Sequence, residues 1–212
     1  MTSKPSGAVE AYRVSRSAAN FAALRKENQA AMKPAVRSRK GDWMQTASGG
    51  QFWPLDPRPE EIHIEDIAAA LSKLCRYGGQ CLRFYSVAEH CVHMAKRAPK
   101  VLQLTTLLHD ASEAYLSDVI RPIKRHLSNY ADIEANLERV IADRFDLSWP
   151  WHPDIKRLDT AILVDERDQI MSKPPAPWGD ITEPALGVEL QCWEPRLAEW
   201  VFLQSFREYG GK

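Results

Sequence analysis

From Glu65 to the end of the chain, apolar residues recur three and four positions apart, and no alternating strand–helix rhythm appears. That period restricts the body to packed helices. "IEDIAAALSKLCRY" puts Ile67, Leu71 and Leu74 at helical spacing, with acids at the start where a helix N-terminus favours them. "SVAEHCVHMAKRA" predicts a second helix, with Ser86 as N-cap and Glu89 three residues on, a capping-box pattern. "VLQLTTLLHDASEAYL" predicts a third. "YADIEANLERVIADRFDL" predicts a fourth, with Ile133, Leu137, Val140 and Ile141 on one face. "DIKRLDTAILVDERDQIM" and "EPRLAEWVFLQSFREYG" predict a fifth and a sixth. No repeats or heptads occur, so residues 41–212 are expected to form an all-α body. Ahead of them, "SRKGDWMQTASGGQFWPLDPRPEEIHI" is dense in Gly, Pro and Ser. It reads as a loop with a short strand pair, anchored to the core by Trp43 and Trp53.

A length of 212 residues suits one domain with a substantial core and is short for two. No window is apolar enough to span a bilayer, and the N-terminus lacks the apolar segment of a secretory signal. Cys75, Cys81, Cys91 and Cys192 form no CxxC pair and are expected to be reduced thiols in a cytoplasmic protein. Charge is unevenly spread. Residues 1–40 carry nine Lys or Arg against Glu10 and Glu27, a net +7, which leaves −7 on the rest of a chain that sums to zero. This basic arm is read as an Ala-rich amphipathic helix that packs on the body or on a second subunit of a homo-oligomer. Binding of nucleic acid is the alternative use of such an arm.

The stretch "TTLLHDASEAYLSDVIRPIKRHL" sets His109, Asp110, Glu113 and Asp118 against an apolar run. On a continuous helix His109 and Glu113 would share a face, with Asp110 beside His109. His90 falls inside the second predicted helix, and Asp159 falls inside the fifth, flanked by Leu158, Ala161 and Ile162. A charge on a buried helix face is costly unless it is paired or bound to a metal. Two imidazoles and two carboxylates suit a divalent transition ion such as zinc, cobalt or manganese. Such an ion lowers the pKa of water.

The ordered set of motifs resembles the HD-domain phosphohydrolases, on the branch of the bacterial YfbR-like 5'-deoxynucleotidases and the phage dATP triphosphohydrolases. The residues that carry the resemblance are Arg76-Tyr77, then "SVAEH" ending at His90, then His109, Asp110, Glu113, Asp118, Pro122 and Lys124, and finally Asp159 in "IKRLDTAIL". They span roughly residues 60 to 170. The resemblance implies an HD-domain helical bundle in which His90, His109, Asp110 and Asp159 ligate one divalent metal. It implies that Glu113 is the general base or acid, that Arg76 and Lys124 neutralise phosphate, and that Asp118 accepts from a sugar 3'-hydroxyl. The chain departs from the pattern at Tyr77, where that branch often has tryptophan, and in the longer, glycine-rich "YGGQCLRFY". That stretch adds Arg83, either a further phosphate contact or a solvated surface residue.

Two function classes follow. The first is a metal-dependent phosphohydrolase of deoxynucleotides, acting on a monophosphate or a triphosphate. The second is a catalytically weak nucleotide- or nucleic-acid-binding protein on the same scaffold.

Overall fold

A computed structural model describes residues 39–179 and 181–212. The predicted arm therefore lies outside the described residues, apart from its last two, Arg39 and Lys40. Arg39 belongs to the body. Its guanidinium lies 4.1 Å from the Trp53 ring centroid and reaches Glu61 at 2.6 Å and Asp56 at 2.8 Å.

The described residues fold mostly as helix, with one small hairpin. Strands β1 (Met44–Gln45) and β2 (Gln51–Phe52) pair antiparallel, with Met44 opposite Phe52. The expected strand pair is present, but Trp43 does not anchor it. Trp43 is half exposed, whereas Phe52 is fully buried and stacks on Tyr115 with ring centroids 3.9 Å apart. Trp53, the residue after Phe52, is partly buried under the Arg39 guanidinium rather than in the core, as expected where successive side chains leave opposite faces.

Eight α-helices follow: α1 (Ile64–Leu71), α2 (Val87–Arg97), α3 (Gln103–Leu107), α4 (Glu113–Leu116), α5 (Arg121–Lys124), α6 (Tyr130–Arg144), α7 (Pro153–Ile170) and α8 (Pro195–Glu208). The main core gathers α1, α2, α3, α6 and α8 around Ile67, Val92, Leu107, Leu137, Ile141 and Phe202. A second cluster joins α2 to α7 through Met94, Ile155 and Ile162, and seats Val188 and Leu190 of the segment before α8.

One predicted helix is broken. The third does not run through "VLQLTTLLHDASEAYL"; it ends at Leu107 and resumes at Glu113. The Thr106 carbonyl, which would accept from residue 110 in a continuous helix, instead accepts from His109 Nδ1 at 2.8 Å. Backbone bonds then tighten to three-residue steps, with Ala111 N donating to Leu108 O and Glu113 N to Asp110 O, each at 3.0 Å. His109 and Asp110 thus stand on a turn.

Helix α2 begins as expected, with Ser86 Oγ accepting from Glu89 N at 3.1 Å. The Glu89 carboxylate does not close the capping box. It accepts the backbone N–H groups of Gln191, Cys192 and Trp193 at 2.6–2.8 Å. Asp165 on α7 does the same for Leu186, Gly187 and Val188 at 2.7–3.2 Å. These two buried acids are satisfied by backbone donors, and they bind α2 and α7 to one strap of chain. The helices that carry His90 and Asp159 are thereby fixed relative to each other.

Candidate metal centre and cavity

His90 comes from the buried face of α2, His109 and Asp110 from the turn between α3 and α4, and Asp159 from the second turn of α7. The fold brings all four together. His90 Nε2 lies 3.6 Å from Asp110 Oδ2 and 3.6 Å from Asp159 Oδ1, and His109 Nε2 lies 3.2 Å from Asp110 Oδ1. The two rings stand 5.5 Å apart. His90, His109 and Asp159 offer ligand atoms close enough to one another to hold a metal ion.

The hydrogen bonds orient both rings the same way. His90 Nδ1 donates to Glu166 Oε1 at 2.7 Å, and His109 Nδ1 donates to the Thr106 carbonyl. Each Nε2 is buried and has no hydrogen-bond partner. Burial, reinforced by the Arg76 guanidinium, pushes His90 below the ordinary imidazole range despite Glu166, so the ring is neutral near pH 7. A neutral imidazole that donates through Nδ1 presents the Nε2 lone pair, which is the arrangement a metal ligand needs. Burial works to raise the Asp159 carboxyl, but His90, His109, Lys156 and Arg76 hold it below its ordinary value.

Cys91, His109 and Asp110 form a second close group. It is the poorer centre. The Cys91 thiol is pushed well up by burial and by Asp110 and Glu113, and His109 Nδ1, 3.9 Å from Cys91 Sγ, already donates to Thr106.

The centre opens into a cavity of about 570 Å³. Arg76, Tyr77, Glu113, Asp118 and Lys124 line it beside His109, Asp110 and Asp159. Glu113 is buried and its Oε2 has no partner. Burial first, then Asp110 and Asp118, push its carboxyl well above the usual range. Asp118 is also raised, by burial against the pull of Arg76. Lys124 pairs with Glu134 at 2.6 Å. Arg76 is buried, with Nη2 3.2 Å from Glu166 and Nη1 3.8 Å from Asp110, so part of its fork already serves protein carboxylates. Arg83 is elsewhere. It is exposed, donates to the Gln191 carbonyl at 3.2 Å and does not line the cavity. The solvated-surface alternative describes its position.

The cavity also holds residues that sequence reasoning did not single out. Arg121 and Lys156 reach Asp159 Oδ2 at 2.9 and 2.8 Å. Trp151 and Trp178 add aromatic wall, and His152 lines the cavity while its side chain caps α7. Behind the centre, Glu166 is fully buried. It stands seven residues after Asp159, two turns along one helix face, and that spacing was the one signal for it in the sequence. His93 pairs with Glu89 at 3.3 Å and stacks on Trp193, outside the centre. All four cysteines are free, and Cys91 alone is buried.

No helix among the described residues is long and apolar enough to cross a membrane. No protein-family model matches the chain. It is 35% identical over 125 residues to the uncharacterized protein YfdR of Escherichia coli, an alignment covering 59% of this chain and 70% of that protein. It is also 35% identical over 145 residues to an uncharacterized protein of Rhodobacter capsulatus, covering 62% of this chain and 74% of the relative. By this likeness the chain belongs to the family of YfdR.

Proposed function

We propose that the chain is a metal-dependent phosphohydrolase of nucleotides, with deoxynucleotides as its preferred class. One observation carries the reading: two buried, unpartnered imidazole Nε2 atoms and two carboxylates converge at the end of a cavity walled by cations and by an unpartnered glutamate. His90, His109, Asp110 and Asp159 would hold the ion, and two imidazoles favour zinc, cobalt or manganese over calcium. When bound, such an ion supplies a Lewis acid and lowers the pKa of water.

The chain's own residues do the rest. Glu113 takes a proton from the attacking water or returns one to the leaving oxygen, as phosphorus gains one P–O bond and loses another. Lys124 and the free edge of Arg76 balance phosphate charge. Asp118 would repel a phosphate unless a donor stands between them, and a sugar 3'-hydroxyl is such a donor. Tyr77 closes the wall beside the sugar.

Phosphate release from a panel of nucleoside mono- and triphosphates tests the activity and separates the two phosphate classes. Elemental analysis tests the ion. About one transition metal per chain is expected in wild type and a large loss in Asp110→Ala. Equal trace metal in both proteins would remove the centre. Tight nucleotide binding without turnover would instead favour the binding-protein reading.

A further inference from the structure

The His90 imidazole is held from both edges by a single helix. Asp159 Oδ1 faces its Nε2 at 3.6 Å, and Glu166 Oε1 accepts from its Nδ1 at 2.7 Å. The two carboxylates stand seven residues apart on α7, about 10 Å along the axis, and the ring spans the gap between them. Glu166 receives two further donors. Arg76 Nη2 lies 3.2 Å from its Oε2, and the Tyr77 hydroxyl donates to the same oxygen. Glu166 thus touches one member of the metal group and two residues of the cavity wall. The Tyr77 backbone adopts φ +59°, a left-handed conformation that a side chain other than glycine's rarely takes. The strained turn is thus held by its bond to a buried acid.

Glu166 is fully buried, and three donors from His90, Arg76 and Tyr77 converge on its two oxygens. A carboxylate is acceptor-only and receives all three at once. A glutamine could not, since its amide nitrogen would meet a donor.

We propose that Glu166 is the positioning residue of the centre, fixing through one carboxylate the imidazole that faces the ion and the arginine and tyrosine that face the substrate. The inference rests on the metal-dependent reading above and deepens it. Glu166 touches neither ion nor substrate. It keeps His90 as the Nδ1–H tautomer with Nε2 bare, and it keeps Arg76 and Tyr77 turned toward the cavity.

The test uses the full chain and the metal ion alone before any turnover is measured. Cobalt affinity, read by competition with a chromogenic chelator, should fall roughly 10–100-fold in Glu166→Gln. Tyr77→Phe, which removes one donor and leaves the imidazole bond, should keep cobalt affinity near wild type and weaken nucleotide binding roughly tenfold or less. A merely structural Glu166 predicts a lower melting temperature with unchanged cobalt affinity in the folded protein, and that result would overturn the proposal. If Glu166→Gln does not fold, the wild type still decides. A long-range proton–nitrogen spectrum of the histidine rings should show His90 protonated at Nδ1, and protonation at Nε2 would refute the role. Tight cobalt binding with no nucleotide hydrolysis would remove the proposed activity and leave the inference intact. Unchanged cobalt affinity in the variant would do the reverse.

Discussion

Glu113 is the residue on which the proposed chemistry turns, and its surroundings separate two kinds of defect. It lines the cavity but is not among the groups close enough to hold an ion. Glu113→Ala should therefore retain its metal and lose on the order of 10²-fold or more in rate. Loss of metal together with activity would mean that Glu113 is a ligand. A surface glutamate would show almost no change. Glu138, also on the cavity wall, offers a pH test. Burial pushes its carboxyl up, against the indole N–H groups of Trp149 and Trp151. An acid whose folded value is raised stabilises the fold below its unfolded pKa, and that contribution fades as pH rises through the folded value. Melting temperatures from pH 4 to 8 should therefore favour wild type over Glu138→Gln most at the acid end. A constant difference across the range would exclude linkage through this carboxyl.

Helix α2 shows which elements were legible in the sequence. Its N-cap was readable because Ser86 and Glu89 act within one turn, and the bond between them is present at 3.1 Å. Removing it with Ser86→Ala should cost about 1 kcal/mol, measured by denaturant titration. A cost near zero would show that packing alone fixes the start of the helix. The Glu89 side chain was not readable in this way, because the N–H donors that it accepts belong to residues 191–193, about a hundred positions away. Nor was the end of α3. The apolar period continues through "LLHDASEAYL", but a side-chain bond from His109 takes the Thr106 carbonyl and breaks the helix. Periodicity reports which face is buried and is silent about competition for a single carbonyl. The hairpin itself was legible, but its anchor was not, since several apolar side chains stand near the strand pair and only the packing on Tyr115 chose Phe52.

Across the whole molecule, one cavity is lined by three of the four metal-group residues (His109, Asp110 and Asp159), by the cations and by Asp118. Burial raises Asp118 although Arg76 opposes it, and the carboxyl lines the cavity where a sugar hydroxyl could reach it. Dideoxynucleotides should consequently be poorer substrates than deoxynucleotides by roughly 1–3 kcal/mol in kcat/KM, and Asp118→Asn should shrink the gap. Equal wild-type rates on both would return Asp118 to an ordinary helix-end carboxylate. The sequence by itself determined the helical class, the position of most helices and the identity of the residues that now cluster, because helical period and local capping act over a few residues. Only the tertiary structure decided that Arg83 faces solvent, that Arg121 and Lys156 reach Asp159, and that Glu166 clamps His90. Those contacts join residues 38 to 108 positions apart, apart from the local Lys156 pair, and they are set by how helices pack. No local pattern encodes which of many buried or exposed charges will meet across that packing.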